Sequence, residues 1–289
     1  MTSKHQERTE HKLIGNQKGE YMAKYKLLAL DIDGTLLNDK RELTDKTILA
    51  VKRAIESGVH VTLCTGRPIQ GVKWLVDRLG ITTPVITYNG AEIVDPKDNE
   101  ILFSEQLLPE DAVKIADLGK NRNTTLIVWC NGELFGYPMN ERVADYKTIA
   151  RTDPKPFEDI KPLAEKGVTK IIWYDTVEGV DEFKKQLNPK EFKSVTYCTS
   201  NPKFLEFFNS KVSKRISMER LCDLIGVTKE ETVAIGDGYN DVPMLQGAGL
   251  SIAMGNAPDD IKALCVAVTD DNNNDGVAKA IERYILSNN

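Results

Sequence analysis

Leu27-Leu28-Ala29-Leu30-Asp31-Ile32-Asp33-Gly34-Thr35-Leu36 is an apolar run that stops in two carboxylates and a glycine. The unbroken apolar run 27–30 marks a strand over 25–31, buried on both faces. Side chains alternate along an extended chain, so Asp31 and Asp33 point the same way, about 7 Å apart. Two like charges that close repel. They become tolerable when a cation lies between them or when one holds a proton, and both conditions are common in catalytic sites. A plain Asp/Gly turn at a strand end is the alternative.

Outward from this stretch the pattern alternates. A helix is expected over 44–57, capped by Thr44 or Asp45 and closed by Gly58, then a strand over 59–64 ending in Thr65-Gly66-Arg67-Pro68. Pro68 is placed to open a helix over 69–79, which leads to a strand over 84–88 and a hairpin over 91–103. This rhythm, with continuous apolar strands, predicts an α/β fold with a doubly wound parallel sheet. The middle differs. Helix 109–122, strands 125–130 and 133–137 around Asn131-Gly132, helix 140–150, strand 168–174, helix 180–187 and strands 195–198 and 204–208 form a mixed α+β module. After Lys214 the first rhythm returns: helix 217–225, strand 232–235 ending in Gly236-Asp237-Gly238-Tyr239-Asn240-Asp241, strand 250–253, helix 259–264, strand 265–268 and helix 277–286. Residues 22–106 and 210–289 are therefore expected to make one domain, with 107–209 inserted.

In open parallel sheets ligands bind beyond the carboxyl ends of the strands. Three apolar runs end there in reactive residues: Asp31 and Asp33, Thr65-Gly66-Arg67, and Asp237, Asn240 and Asp241. Four carboxylates, a hydroxyl and free amides on one rim suit a hard cation with oxygen ligands. Magnesium usually binds through one or two carboxylates plus substrate phosphate.

In this order, Asp31-Ile32-Asp33-Gly34-Thr35, Thr65-Gly66-Arg67, Lys214 and Gly236-Asp237-Gly238-Tyr239-Asn240-Asp241 resemble the four motifs of the haloacid dehalogenase (HAD) superfamily. The insert is similar to the large cap of the Cof-type sugar-phosphate phosphatases, and Ile86-Thr87-Tyr88-Asn89-Gly90-Ala91 resembles that subfamily too. The resemblance implies a Rossmann-like core with an α+β cap that sets specificity, and a phosphatase working through an aspartyl-phosphate. Asp31 would be the nucleophile. Asp33 would protonate the leaving alkoxide and later deprotonate water, carrying a proton while Asp31 is ionised. Magnesium would sit between Asp31, the Asp33 carbonyl and Asp237, with Asp241 nearby. Thr65 and the amides of Ile32 and Gly66 would hold phosphate oxygens, Lys214 would neutralise charge, and Asn240 would add a contact. Arg215 departs from the family pattern, which has glycine there, so Lys211 is an alternative bearer of the charge.

Composition sets the remaining bounds. A net charge of −5 without a basic cluster argues against nucleic acid or anionic membrane as partner, and no apolar run reaches membrane-spanning length. Five scattered cysteines without a CxxC pair suit reduced thiols in a cytoplasmic protein, and three histidines leave acid/base chemistry to carboxylates and lysine. Residues 1–21 lack the apolar segment of a signal peptide. Lys18-Gly19-Glu20-Tyr21 back-translates to a purine-rich stretch like a bacterial ribosome-binding site, so Met22 is expected to be the native start. Asp271-Asn272-Asn273-Asn274-Asp275-Gly276 with Glu282 fits a calcium-loop pattern, but follows a strand, so it is expected to be a turn capping the last helix. Trp129, Trp173, Tyr174 and Tyr197 are expected to pack within the insert's sheet. The expected function is hydrolysis of small phosphate esters, sugar phosphates first. A phosphomutase, or a sugar-phosphate-binding regulator without turnover, are the alternatives; the oligomeric state is left open.

Overall fold

The computed structural model describes residues 24–287, so the leader and the start expected at Met22 lie outside the described residues. The strands, in chain order, are β1 (Leu27–Leu30), β2 (His60–Leu63), β3 (Val85–Thr87), β4 (Glu92–Val94), β5 (Ile101–Ser104), β6 (Thr125–Cys130), β7 (Glu133–Tyr137), β8 (Lys155–Pro156), β9 (Val168–Tyr174), β10 (Val195–Cys198), β11 (Phe204–Asn209), β12 (Thr232–Gly236), β13 (Leu250–Ala253) and β14 (Ala267–Val268).

The first sheet runs β14-β13-β12-β1-β2, parallel throughout. All of β1 is buried, because alternate residues face opposite layers. Leu28 and Leu30 pack with helices Asp45–Glu56 and Ile69–Leu79; Leu27 and Ala29 pack with Lys214–Ile225 and Val242–Gly247. The sheet is thus doubly wound, as the sequence predicts. A parallel bridge between Cys64 and Ile86 leads on to β3, which pairs antiparallel with β4, and β4 with β5.

The second sheet runs β10-β11-β9-β6-β7-β8, antiparallel except for the short β7–β8 pair. Its β6–β7 hairpin turns at Asn131 and Gly132, both with positive φ, as a tight two-residue turn requires. One face is covered by helices Pro109–Asn121, Lys161–Lys166 and Val177–Gln186. The other packs on Tyr88 and Ala91, with the Tyr88 and Trp129 rings edge to face at 5.5 Å. This contact brings the second sheet over the carboxyl ends of the first.

Several expected boundaries move. The helix expected over 180–187 is Val177–Gln186, because the Thr176 hydroxyl accepts the Gly179 N–H at 3.0 Å and caps it there. The helix expected from 217 begins at Lys214, because the Ser213 hydroxyl accepts the Ile216 N–H at 3.2 Å and caps it there. The strand expected over 265–268 is only Ala267–Val268. Among the described residues no helix is long and apolar enough to cross a membrane.

Candidate active site

Asp31 continues β1, its N–H donating to Ile235 O of β12 at 3.0 Å. The chain then turns through Gly34 at φ +80°, where a Cβ would lie 2.3 Å from Asp237 Oδ2. Only glycine lets this loop meet the one after β12 so closely. Thr35 Oγ1 donates to Asp237 Oδ1 at 2.7 Å and ties the two loops together. Asp241 is fully buried, its Oδ2 accepting the N–H groups of Asp237 and Gly238 at 3.0 and 2.9 Å. Lys214, at the start of its helix, places Nζ 2.5 Å from both Asp31 Oδ1 and Asp241 Oδ1. A cation is unfavourable at a helix N-terminus, so the two carboxylates are what hold it there.

The carboxylate oxygens of Asp31, Asp237 and Asp241 lie within 4.8 Å of one another. Burial raises Asp31 well above the ordinary carboxylate range, Asp241 adds to this, and Lys214 opposes it. Asp237 is pushed up to about 7, first by burial and then by Asp241, against the Thr35 hydrogen bond. Burial alone would lower Lys214, but the Asp241 and Asp31 charges outweigh it and hold its pKa well above the usual value. Three carboxylates therefore face one ammonium, a deficit of positive charge. An all-oxygen donor set of this kind fits a hard divalent cation.

Asp33 stands apart from this cluster. Its half-exposed carboxylate accepts Arg67 Nε at 2.8 Å and Arg67 Nη2. The convergent side chains are thus Asp31, Asp237 and Asp241, leaving Asp33 its backbone carbonyl to offer a cation. Thr65 is buried just beyond β2, and its Oγ1 accepts Arg67 N–H at 3.1 Å. Among the described residues the amides of Ile32 and Gly66 have no protein acceptor. Asn240 Nδ2 donates to Asn89 Oδ1 at 3.3 Å. Asp31, Asp33, Thr65, Gly66, Asp237 and Asn240 line one side of a cavity of about 240 Å³; Lys170, Phe204 and Glu206 of the second sheet, with Tyr146 from helix Glu141–Ala150 and Ser200 from the loop before β11, cover it from the other. The expected residues from four distant segments thus meet around one space or just beneath it, Lys214 and Asp241 lying below.

Sequence reasoning missed Lys170, Glu206 and Asn89. Lys170 Nζ pairs with Glu206 Oε2 at 2.9 Å, and Asn89 Nδ2 donates to the same oxygen at 3.0 Å. A charge inside each of the apolar strands Val168–Tyr174 and Phe204–Asn209 was the available signal. Lys211 is exposed beside Glu105, 3.8 Å away, so Lys214 is the lysine at the site. Arg215 turns to Glu219 at 2.7 Å. Trp129 and Trp173 are fully buried and cannot stack on a ligand. Asp275 accepts the Thr44 hydroxyl at 2.7 Å and Asp271 accepts Asn273 and Asn274, so their carboxylates do not converge as calcium ligands.

A family model described as haloacid dehalogenase-like hydrolase matches residues 28–281. The chain is 30% identical over 262 residues to the 5-amino-6-(5-phospho-D-ribitylamino)uracil phosphatase YcsE of Bacillus subtilis, covering 90% of this chain and 96% of that protein. Among solved structures, a haloacid dehalogenase-like hydrolase from Bacteroides thetaiotaomicron matches with a TM-score of 0.80 at 29% identity, covering 90% of this chain and 99% of the other. The subclass IIB sugar phosphatase BT4131 matches with a TM-score of 0.79 at 26% identity, covering 90% and 98%.

Proposed function

This chain belongs to the haloacid dehalogenase-like hydrolases, and from that premise we propose that it is a magnesium-dependent phosphatase acting on sugar phosphates and related polyol phosphates. The observation that carries this reading is the Asp31, Asp237 and Asp241 cluster, with Lys214 paired to Asp31 and Asp241, beneath a cavity that the insert covers. YcsE is named for a phosphoribityl substrate and BT4131 as a sugar phosphatase, and both names describe phosphate on a polyhydroxylated carbon skeleton.

Asp31, Asp237 and Asp241 would hold the magnesium ion, which supplies positive charge to the phosphoryl oxygens when bound. Asp31 attacks phosphorus, so the Asp31 O–P bond forms as the ester O–P bond breaks. Asp33, once its ion pair with Arg67 opens and it carries a proton, gives that proton to the leaving alkoxide. It then takes a proton from the water whose oxygen attacks phosphorus and releases Asp31. The Thr65 hydroxyl, the Ile32 and Gly66 amides and Lys214 hold the three phosphoryl oxygens, so catalysis is mainly positioning and charge stabilisation. We assign 22–106 with 210–289 as the catalytic core and 107–209 as the cap that reads the leaving group and excludes water.

The test is a panel of phosphorylated sugars, polyols and nucleotides assayed for phosphate release with magnesium and with EDTA. Release from polyol phosphates that EDTA abolishes supports the reading. Activity indifferent to EDTA refutes its metal, and an isomerised phosphate ester without free phosphate refutes hydrolysis.

A further inference from the structure

Lys170 and Glu206 sit in the middle of β9 and β11, on the face of the second sheet that packs toward Tyr88, and each side chain is only 2% exposed. Desolvating two charges offsets much of their attraction, and apolar residues of similar volume usually replace such a pair without loss of stability. Fold stability therefore does not account for this pair, and its other hydrogen bonds point to a second role. Lys170 Nζ also donates to Gly66 O, at 2.6 Å, across the gap between the two sheets.

That bond completes a pattern. In the loop after β2, Thr65 O accepts Asn89 N–H at 2.8 Å and Arg67 O accepts Tyr88 N–H at 3.2 Å. Gly66 O lies between them, and its donor alone comes from the inserted sheet. The Gly66 carbonyl and the Arg67 N–H belong to one planar trans peptide, so they point in opposite directions. Fixing the carbonyl aims the N–H, which donates to Thr65 Oγ1 at 3.1 Å. With that lone pair engaged, the Thr65 O–H hydrogen must turn elsewhere, and among the described residues it has no protein acceptor. Thr65 lines the cavity. An ammonium on a carbonyl also polarises the peptide and strengthens its N–H as a donor.

We propose that Lys170 is a positioning residue for the phosphoryl-binding hydroxyl of Thr65, acting through the Gly66–Arg67 peptide. Glu206 keeps the ammonium in place, held in turn by Asn89 Nδ2 at 3.0 Å and by the Ser200 hydroxyl. The phosphate loop is then complete only while the inserted sheet is seated on it, which couples closure of the cavity to phosphate binding. This rests on the assignment of Thr65 as a phosphoryl ligand made above.

The test is a double-mutant cycle read by calorimetric titration of inorganic phosphate in the presence of magnesium. Wild type, Lys170→Met, Thr65→Val and the double variant are compared. Lys170→Met weakens phosphate binding about tenfold when Thr65 is present, and less than about twofold when residue 65 is valine. Lys170→Met leaves Glu206 buried without its counter-charge, so Lys170→Met with Glu206→Gln replaces it in the cycle should the single variant fail to fold. Equal losses in the two backgrounds, or no loss in either, would overturn the inference while leaving the phosphatase reading intact. A wild-type protein that neither binds phosphate nor hydrolyses any ester would overturn the phosphatase reading and this inference together.

Discussion

Replacing Lys214 by methionine removes the one ammonium at the centre of the site while keeping a similar side-chain length. Its Nζ stands 2.5 Å from both Asp31 and Asp241, and its side chain is fully buried. Without it, three carboxylates remain with oxygens within 4.8 Å of one another. At that separation and an effective dielectric near 20, each ionised pair repels by about 3–4 kcal/mol. Breaking a buried ion pair by removing one partner typically costs about 3–5 kcal/mol. In EDTA at neutral pH the variant should therefore lose about 3–5 kcal/mol in urea unfolding, with Tm lower by roughly 5–8 °C for a chain of this size. Added magnesium restores positive charge among the same oxygens, so it should raise the Tm of the variant more than that of wild type. Turnover should stay at least about a hundredfold down even with magnesium, because the charge on the transferring group is still missing. Wild-type stability in EDTA, or an equal magnesium shift in both proteins, would refute the reasoning.

Asp33→Asn should lower kcat by about a hundredfold or more with little change in KM; single-turnover traces should show both formation and hydrolysis of the aspartyl-phosphate slowed, and unchanged turnover would remove Asp33 from its role. Gly34→Ala places a Cβ 2.3 Å from Asp237 Oδ2 at a φ of +80°, so magnesium affinity measured by calorimetry should fall about tenfold or more. Glu92 is buried and raised to about 7 chiefly by that burial, the Thr169 hydroxyl opposing from 3.2 Å. Its contribution to stability is full below the ordinary value of 4.5 and is lost as pH rises through about 7. Glu92→Gln keeps an acceptor for Thr169, so it should raise stability by about 2–4 kcal/mol above about pH 7 and flatten the urea-unfolding profile between 4.5 and about 7.

How much of this was legible beforehand depended on whether the information was local. An unbroken apolar run in residues 27–30 needs no partner to declare a doubly buried strand, and Asn131-Gly132 carries its own turn geometry. The helix start at Lys214 is not legible locally: two cations in a first turn oppose the helix dipole, and the compensating carboxylates of Asp31 and Asp241 lie far away in the chain. Asp33 was legible as a reactive carboxylate, but its two-pronged partner Arg67 was not.

By itself the sequence determined the doubly wound sheet, the inserted α+β module and three of the segments that carry the candidate chemistry, since each is written in spacing and residue type along one short stretch; the fourth, Lys214, was implied only by the resemblance to the HAD superfamily. Only the tertiary structure decided which carboxylates converge, that Lys214 rather than Lys211 reaches them, and that Lys170 bridges from the inserted sheet to Gly66, 104 residues away. Such contacts arise where two separately patterned sheets pack face to face, and hydrophobic periodicity specifies the faces without specifying which polar groups will meet between them.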